Sequence, residues 1–408
     1  MLAPKTVGTH VHYGDYRTLE FMSPSSHKLP WTLDLDTTAK YLASSLERGR
    51  YGAGYPKPGD AAVQYYLIGV GRQGKRIARA IEPHLRDIVG EHRKGTVDYI
   101  GTADPKNGDY PEIPNRLGRY PIIVPVDDNF RPQGLVESGL TLTFNSVVDE
   151  LRKRRLRENS LAMMASVIGG GSLDLGEGEA ASPYYHATLA TPPDMVPMVE
   201  WIFDSFYGLV YRGLGQGSYK NEGHQFSLRD LPYYSPVIIT IGDSGSYWGR
   251  KLTSDLYKRK KHGKNLLGHI LLICAEIADL RGDHNKVPIV REMRYVDDGV
   301  NERLKPYLET LYDSEPLTVF DSRGVETRGR TLDFKALSQR PSMSISEPLL
   351  FDDALVTGAT LKESRHIFRD CGINTKPSVI CDFSGKADHE ELIAPITIRN
   401  RYMHTANT

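Results

Sequence analysis

Hydrophobic residues in this chain fall into short unbroken runs separated by stretches of helical spacing. Tyr65-Tyr66-Leu67-Ile68 is an apolar run of strand length, followed by a glycine-bearing turn, Gly69-Val70-Gly71-Arg72-Gln73-Gly74. Ile77, Ala78, Ile81 and Leu85 then recur at three- and four-residue intervals, which predicts a helix over residues 75–86. Residues 97–100 and 121–126 read as two more strands, the second running into Asp127-Asp128. A helix around residues 143–157 and a buried strand over residues 163–168 complete the set.

The same order recurs further along. Residues 236–241 form an apolar run, Gly242-Asp243-Ser244-Gly245-Ser246 a turn, and residues 248–259 a helical stretch. Residues 317–320 and 348–351 read as strands, the latter ending at Asp352-Asp353; a helix over 361–369 and a strand over 378–381 follow. Strands that alternate with helices and are apolar throughout predict parallel sheets covered by helices. The glycine-rich stretch Gly169-Gly170-Gly171-Ser172, with Gly176 and Gly178 after it, reads as a linker, and a helix over 196–209 opens the second half. The expected fold is α/β: two tandem domains, residues 1–190 and 191–408, each a mainly parallel sheet flanked by helices.

Composition narrows the classes rather than the fold. Charged residues make up 25% and hydrophobic residues 39% of the 408, which is globular rather than disordered. Lys plus Arg and Asp plus Glu both number 51, so no net charge draws the chain to nucleic acid or to an anionic membrane. Cys274, Cys371 and Cys381 lack the spacing of a disulfide framework or a zinc site, and a reducing cytoplasm is the expected setting. No charged-then-apolar leader opens the sequence. The longest apolar run, residues 266–278, is too short and too polar to span a bilayer, so no membrane partner is expected. The basic run Lys258-Arg259-Lys260-Lys261-His262-Gly263-Lys264 reads as a solvated helix end that complements the helix dipole, with a nucleic-acid contact as the alternative.

The segment Phe351-Asp352-Asp353-Ala354-Leu355-Val356-Thr357-Gly358-Ala359-Thr360-Leu361 carries the chemistry. An apolar strand delivers two carboxylates to the C-terminal edge of a sheet, which is where open α/β sheets bind ligands. A short loop then feeds a helix. Gly358 lets backbone approach a ligand closely, the loop and first-turn N–H groups make a nest for a phosphate, and Thr357 and Thr360 add hydroxyls. Asp352 and Asp353 are placed to accept hydrogen bonds from vicinal hydroxyls, so the residues describe a pocket for a sugar 5-phosphate.

The run of apolar strand, two acidic residues, short spacer and Thr-Gly-x-Thr closely resembles the phosphoribosyl-diphosphate (PRPP) motif of type I phosphoribosyltransferases over residues 347–361. The resemblance implies that Asp352 and Asp353 contact the ribose hydroxyls, serve catalysis and lie next to a bound magnesium ion. It implies that Thr357, Gly358, Ala359 and Thr360 hold the 5-phosphate. A second family loop, which meets the diphosphate through backbone N–H groups, corresponds to Gly242, Ser244, Gly245 and Ser246; Asp243 departs from it, since a carboxylate repels diphosphate unless magnesium lies between. The family's closing loop corresponds to residues 321–330, with an exposed polar hairpin as the equal alternative.

The first half carries a degenerate copy. Asp127-Asp128 is followed by Glu137-Ser138-Gly139-Leu140-Thr141, but Asp128 and Gly139 are 11 positions apart, against 5 for Asp353 and Gly358. Upstream, residues 21–28 and Leu33-Asp34-Leu35-Asp36 loosely resemble the hood strands of orotate phosphoribosyltransferases. The expected function is magnesium-dependent transfer of 5-phosphoribosyl from PRPP to a nucleobase, a nucleotide or a related nitrogen acceptor. The alternative is a non-catalytic PRPP- or nucleotide-binding regulator or effector. A homo-oligomer, a nucleic-acid partner and a protein partner are left open by the sequence.

Overall fold

The apolar runs around residues 65–68 and 237–241 form strands buried along their whole length. The computed structural model describes residues 31–52, 62–92, 95–105, 107–114, 118–130, 161–169, 184–190, 235–259, 270–282, 285–313, 315–321, 324–340, 347–384 and 391–399, with short stretches at 5–7, 10–12, 17–20, 220–221 and 224–225 and single positions 150, 198, 201 and 202. The chain divides into two compact units, and the main changeover falls between Met195 and Val196. The first unit also takes residues 398–408, and the second takes Leu29–Trp31. The expected helix at 143–157 and most of the expected linker lie outside the described residues.

In the first unit the strands are β1 (Arg17–Glu20), β2 (Val63–Val70), β3 (Thr96–Ala103), β4 (Tyr120–Phe130), β5 (Leu161–Gly169) and β6 (Tyr184–Ala190). They form one sheet in the order β1-β6-β5-β4-β2-β3, and every pairing is parallel. Two helices accompany it, α1 (Leu35–Gly52) and α2 (Gly71–His92). Ile77, Ala78, Ile81, Leu85 and Val89 make the buried stripe of α2, each aliphatic side chain contributing about 1.5–3 kcal/mol on full burial. Asp34 caps α1 by accepting from the Thr37 N–H at 2.6 Å, so Leu35-Asp36 begins a helix and only Trp31–Asp34 is strand. The looser expectation of strand through Asp36 fails because Ala39, Leu42, Ala43 and Leu46 supply a helical apolar face directly after the cap.

The second unit is built on β7 (Val237–Ile241), β8 (Leu271–Leu280), β9 (Lys286–Tyr295), β10 (Leu317–Phe320), β11 (Glu326–Gly329), β12 (Leu349–Leu355), β13 (Lys376–Asp382) and β14 (Ile396–Arg399). Its helices include α3 (Gly242–Arg259), α4 (Asp298–Glu309), α5 (Phe334–Ser338) and α6 (Ala359–Asp370). The strands run β11-β10-β8-β7-β12-β13-β14, with β9 also on β8. The central pairings, β8-β7-β12-β13-β14, are parallel, and β9, β10 and β11 add antiparallel partners. The fold class is thus α/β with helices flanking a parallel sheet in one unit and a mixed sheet in the other. Phe334 of α5 meets Phe368 of α6 edge-to-face at 5.8 Å, over a core that includes Ile239, Ile273, Leu350 and Val379. Among the described residues no helix is long and apolar enough to cross a membrane.

The two sheets share one arrangement. In each, the first long strand (β2 or β7) lies between the next strand (β3 or β8) and the strand that carries an acidic pair (β4 or β12). The chain builds to one side of its first strand and then crosses to the other. That is a topological switch point, where the loops diverge and leave a crevice at the C-terminal ends of the two strands.

Candidate functional site

The crevice of the second unit lies between the ends of β7 and β12. Gly242 joins β7 to α3 without an intervening loop: its φ of 63° turns the backbone sharply, and α3 starts there rather than at Trp248. The expected five-residue turn is therefore the first turn of a helix. Gly245 lies in that turn against β12, where an added Cβ would stand 3.1 Å from the Phe351 carbonyl oxygen and 3.2 Å from Asp352 Oδ1. Glycine at 245 is what lets the positive end of α3 rest on the acidic pair.

β12 does not stop at Phe351; it continues to Leu355, so both aspartates are strand residues. Alternation along the strand leaves Asp352 half-buried and takes Asp353 inward. Asp352 Oδ1 accepts from the Asp353 N–H at 2.9 Å. Asp353 Oδ2 accepts from Ser244 Oγ at 2.5 Å, which joins the start of α3 to the end of β12. Ser246 is also turned inward, its hydroxyl 3.0 Å from that of Thr240 on β7. Of the four positions expected to meet a diphosphate, Ser244 and Ser246 thus engage protein through their side chains, and the backbone N–H groups at the start of α3 are the donors suited to an anion. Asp243 is exposed in this first turn.

Beyond β12 the chain turns into α6 at the residues expected from the sequence to hold a phosphate. Gly358 adopts φ 77°, ψ 3° and has no side-chain cap, so α6 begins with its positive end open. The Ala359 N–H donates to Thr357 Oγ1 at 3.3 Å, and the Lys362 N–H to the Gly358 carbonyl at 3.0 Å. Thr357, Ala359 and Thr360 are exposed, and α6 carries no acidic residue in its first turn. Glu363, one turn on, pairs with Lys286 at 2.7 Å. A cleft of about 1280 Å³ runs from this turn along α6, touching Thr357, Gly358, Ala359, Lys362, Arg369 and Thr375; neither aspartate lines it, so it is a flank of the helix and not the crevice itself.

The residues expected to close over the site form a hairpin instead. β10 and β11 pair antiparallel, the Asp321 N–H donates to the Val325 carbonyl, and Asp321 Oδ1 accepts from the Val325 N–H at 2.9 Å. Arg330 pairs with Glu309 at 3.0 Å and stacks over Tyr312, 4.3 Å from its ring centre. The hairpin stands on the far side of β8 and β7 from β12, which removes Arg328 and Arg330 from the crevice. Ser322 and Arg323 lie outside the described residues.

The first unit repeats the crevice. Gly71 has φ 65° at the β2–α2 junction, and Gly74 lies against Val126 and Asp127. The Asp128 N–H donates to Asp127 Oδ1 at 2.8 Å, as Asp353 does to Asp352. The side chains between the glycines differ: Arg72-Gln73 stands where the second unit has Asp243-Ser244. Gln73 accepts from Arg76 at 2.8 Å, and burial together with the like charge of Arg72 pushes the Arg76 guanidinium below its ordinary range. Residues 137–141, the expected counterpart of the Thr357–Thr360 turn, lie outside the described residues.

Among the described residues no three His, Cys, Asp or Glu side chains converge on a protein-only metal site. A magnesium ion shared with a diphosphate needs just one or two carboxylates, and the half-buried Asp352 fits that donor set better than Asp353, which is buried and bonded to Ser244. Compared with known proteins, the chain matches no family model and no curated sequence.

Proposed function

We propose that this protein is a magnesium-dependent transferase of the phosphoribosyltransferase type, acting through its second unit. The reading rests on one observation: the start of α3 meets the acidic pair on β12 at the switch point between β7 and β12, and the same strand runs on into the Gly358 turn that opens α6. A ligand carrying a phosphate, a cis-diol and a second anionic group fits three such neighbours, and PRPP is that ligand. The nest at Thr357, Gly358, Ala359 and Thr360 holds the 5-phosphate, and Asp352 and Asp353 take the ribose hydroxyls. The α3 N-terminus receives the diphosphate. In the reaction the C1–O bond breaks with its electron pair leaving on diphosphate, and a ring nitrogen of a nucleobase or nucleotide forms the new bond to C1. The two anchored ends hold C1 between them, so the sites contribute mainly by positioning and by stabilising charge on the leaving group. Asp352 would hold a magnesium ion, which would supply positive charge to the diphosphate. The three cysteines are free, in keeping with a reducing cytoplasmic setting.

A second reading, a PRPP- or nucleotide-binding regulator that does no chemistry, is favoured by Asp243, whose exposed carboxylate stands where a diphosphate arrives. One experiment separates them. Diphosphate release is followed with PRPP, magnesium and a panel of bases, for the wild-type protein and for Asp352→Asn with Asp353→Asn. The transferase reading expects release with at least one base and its loss in the folded double variant. Calorimetric binding of PRPP with no release for any base selects the regulator, and full activity in the double variant sinks the transferase.

A further inference from the structure

Ser244 and Asp353 are 109 residues apart in sequence and joined by one side-chain hydrogen bond, Ser244 Oγ to Asp353 Oδ2 at 2.5 Å. Both residues are buried, at 7% and 8% exposure. A hydroxyl donating to a carboxylate makes a short, charge-assisted bond, roughly twice as strong as a neutral one. The donor is itself held. It occupies the first turn of α3, whose entry is fixed by the positive φ of Gly242 and whose distance from β12 is fixed by Gly245 packed on Phe351 and Asp352. A side chain on so rigid a mount sets the orientation of its acceptor.

The first unit serves as an internal control. It has the same glycines and the same acidic pair, yet Gln73 stands at the position of Ser244 and is engaged by Arg76. Among the described residues no side chain donates to the Asp128 carboxylate. The bond is present in the copy that has the short acidic-to-glycine spacing and absent from the copy with the stretched one.

We infer that Ser244 is a positioning residue, which holds the Asp353 carboxylate in the orientation that recognises the cis-diol of a phosphorylated ribose. Sequence alone assigns Ser244 to the diphosphate; the geometry assigns it to the sugar, through Asp353. The inference rests on the phosphoribosyl reading, and its test keeps the two apart. Binding of ribose 5-phosphate, 2-deoxyribose 5-phosphate and inorganic phosphate is measured by calorimetry for wild type, Ser244→Ala and Ser244→Thr. The wild type prefers ribose 5-phosphate to its 2-deoxy analogue. Ser244→Ala weakens ribose 5-phosphate by about tenfold, the scale of one hydrogen bond to a charged group, and loses most of the preference. It leaves inorganic phosphate, which needs only the Gly358 nest, unchanged. Ser244→Thr, which keeps the hydroxyl, restores the preference. Retention of the preference in Ser244→Ala, equal weakening of all three ligands, or failure of Thr to restore it overturns the role of Ser244. A wild type that binds inorganic phosphate but neither sugar overturns the phosphoribosyl reading itself, and the inference with it.

Discussion

Gly358 offers the sharpest test of the nest, because its environment separates two costs that usually come together. Its φ of 77° lies in the left-handed region, which costs a residue with a Cβ about 1–2 kcal/mol. Space is not limiting: an added Cβ would stand 3.4 Å from Leu355 Cδ1, an ordinary contact. Replacing Gly by Ala also lowers the entropy of the unfolded chain, a gain of about 0.4–1 kcal/mol. The net expectation for Gly358→Ala is a loss of about 1 kcal/mol, roughly fivefold in the folding equilibrium. Asn tolerates the left-handed conformation far better, so Gly358→Asn should recover most of that loss although its side chain is larger. The assay is urea unfolding, comparing midpoints at constant slope, with calorimetric titration of inorganic phosphate in parallel. Phosphate affinity should fall with Ala, because relaxing φ turns the loop N–H groups away from the nest, and fall less with Asn. If Ala and Asn destabilise equally, crowding rather than conformation governs the site; if Ala changes neither stability nor phosphate affinity, the left-handed turn is not what makes the nest.

Two further expectations concern the packing around the crevices and the first unit's core. A Cβ at Gly74 would stand 2.1 Å from the Val126 carbonyl oxygen, against 3.1 Å from that of Phe351 for Gly245, so Gly74→Ala should destabilise by about 3 kcal/mol and Gly245→Ala by about 1 kcal/mol in thermal unfolding; the reverse ranking would refute the closer approach at Gly74. Buried Glu47 pairs with buried Arg50 and accepts from Tyr65 Oη at 2.6 Å, so Glu47→Ala should cost about 3–5 kcal/mol by removing the carboxylate that offsets the buried Arg50 charge, and Tyr65→Phe only about 1 kcal/mol. Burial, then the Glu47 charge, raise the Tyr65 phenol well above its ordinary value of 10.0. A raised folded-state value stabilises below the unfolded value and is lost as pH rises through the folded one, so stability should fall at alkaline pH above about 10. Tyr65→Phe should remove that part of the alkaline loss, and an unchanged pH profile would show that Tyr65 does not titrate on unfolding.

Much of the fold was legible because the parallel strands are buried on both faces and read as continuous apolar runs. Residues 65–68 lie inside β2 and residues 236–241 nearly coincide with β7. Less legible were the strand ends. β4 and β12 run on through Asp127-Asp128 and Asp352-Asp353, because main-chain pairing with β5 and β13 continues past the last apolar residue and is indifferent to side-chain polarity. For the same reason α2 and α3 begin at Gly71 and Gly242, several residues before their apolar stripes start. The antiparallel strand β9 carries charges among its apolar positions, as at Arg291, Glu292 and Arg294, and gave no continuous run to read. Within the candidate site, the short spacing from Asp353 to Gly358 made the turn into α6 legible, whereas the bond from Ser244 to Asp353 spans 109 residues and has no local signature.

The two crevices show which part of such a site geometry dictates and which part it leaves open. A helix that starts directly on a strand end must turn at a residue free to take positive φ, and must pass the neighbouring strand at a residue without a Cβ; Gly71 with Gly74 and Gly242 with Gly245 meet both demands. The two side chains between those glycines meet neither demand and are free to set the chemistry. Arg72, Lys75 and Arg76 put cations on the positive end of α2, an arrangement that costs stability unless an anion is near, and burial first and the Arg72 charge second depress the Arg76 guanidinium. Asp243 does the reverse on α3: it satisfies the helix dipole and opposes an incoming anion unless a cation stands between them. One backbone therefore presents two electrostatic surfaces. On the phosphoribosyl reading proposed above, the copy that holds its second aspartate through Ser244 is also the one whose approach to a diphosphate would call for a metal ion, so sugar recognition and metal dependence would belong to the same first turn of α3.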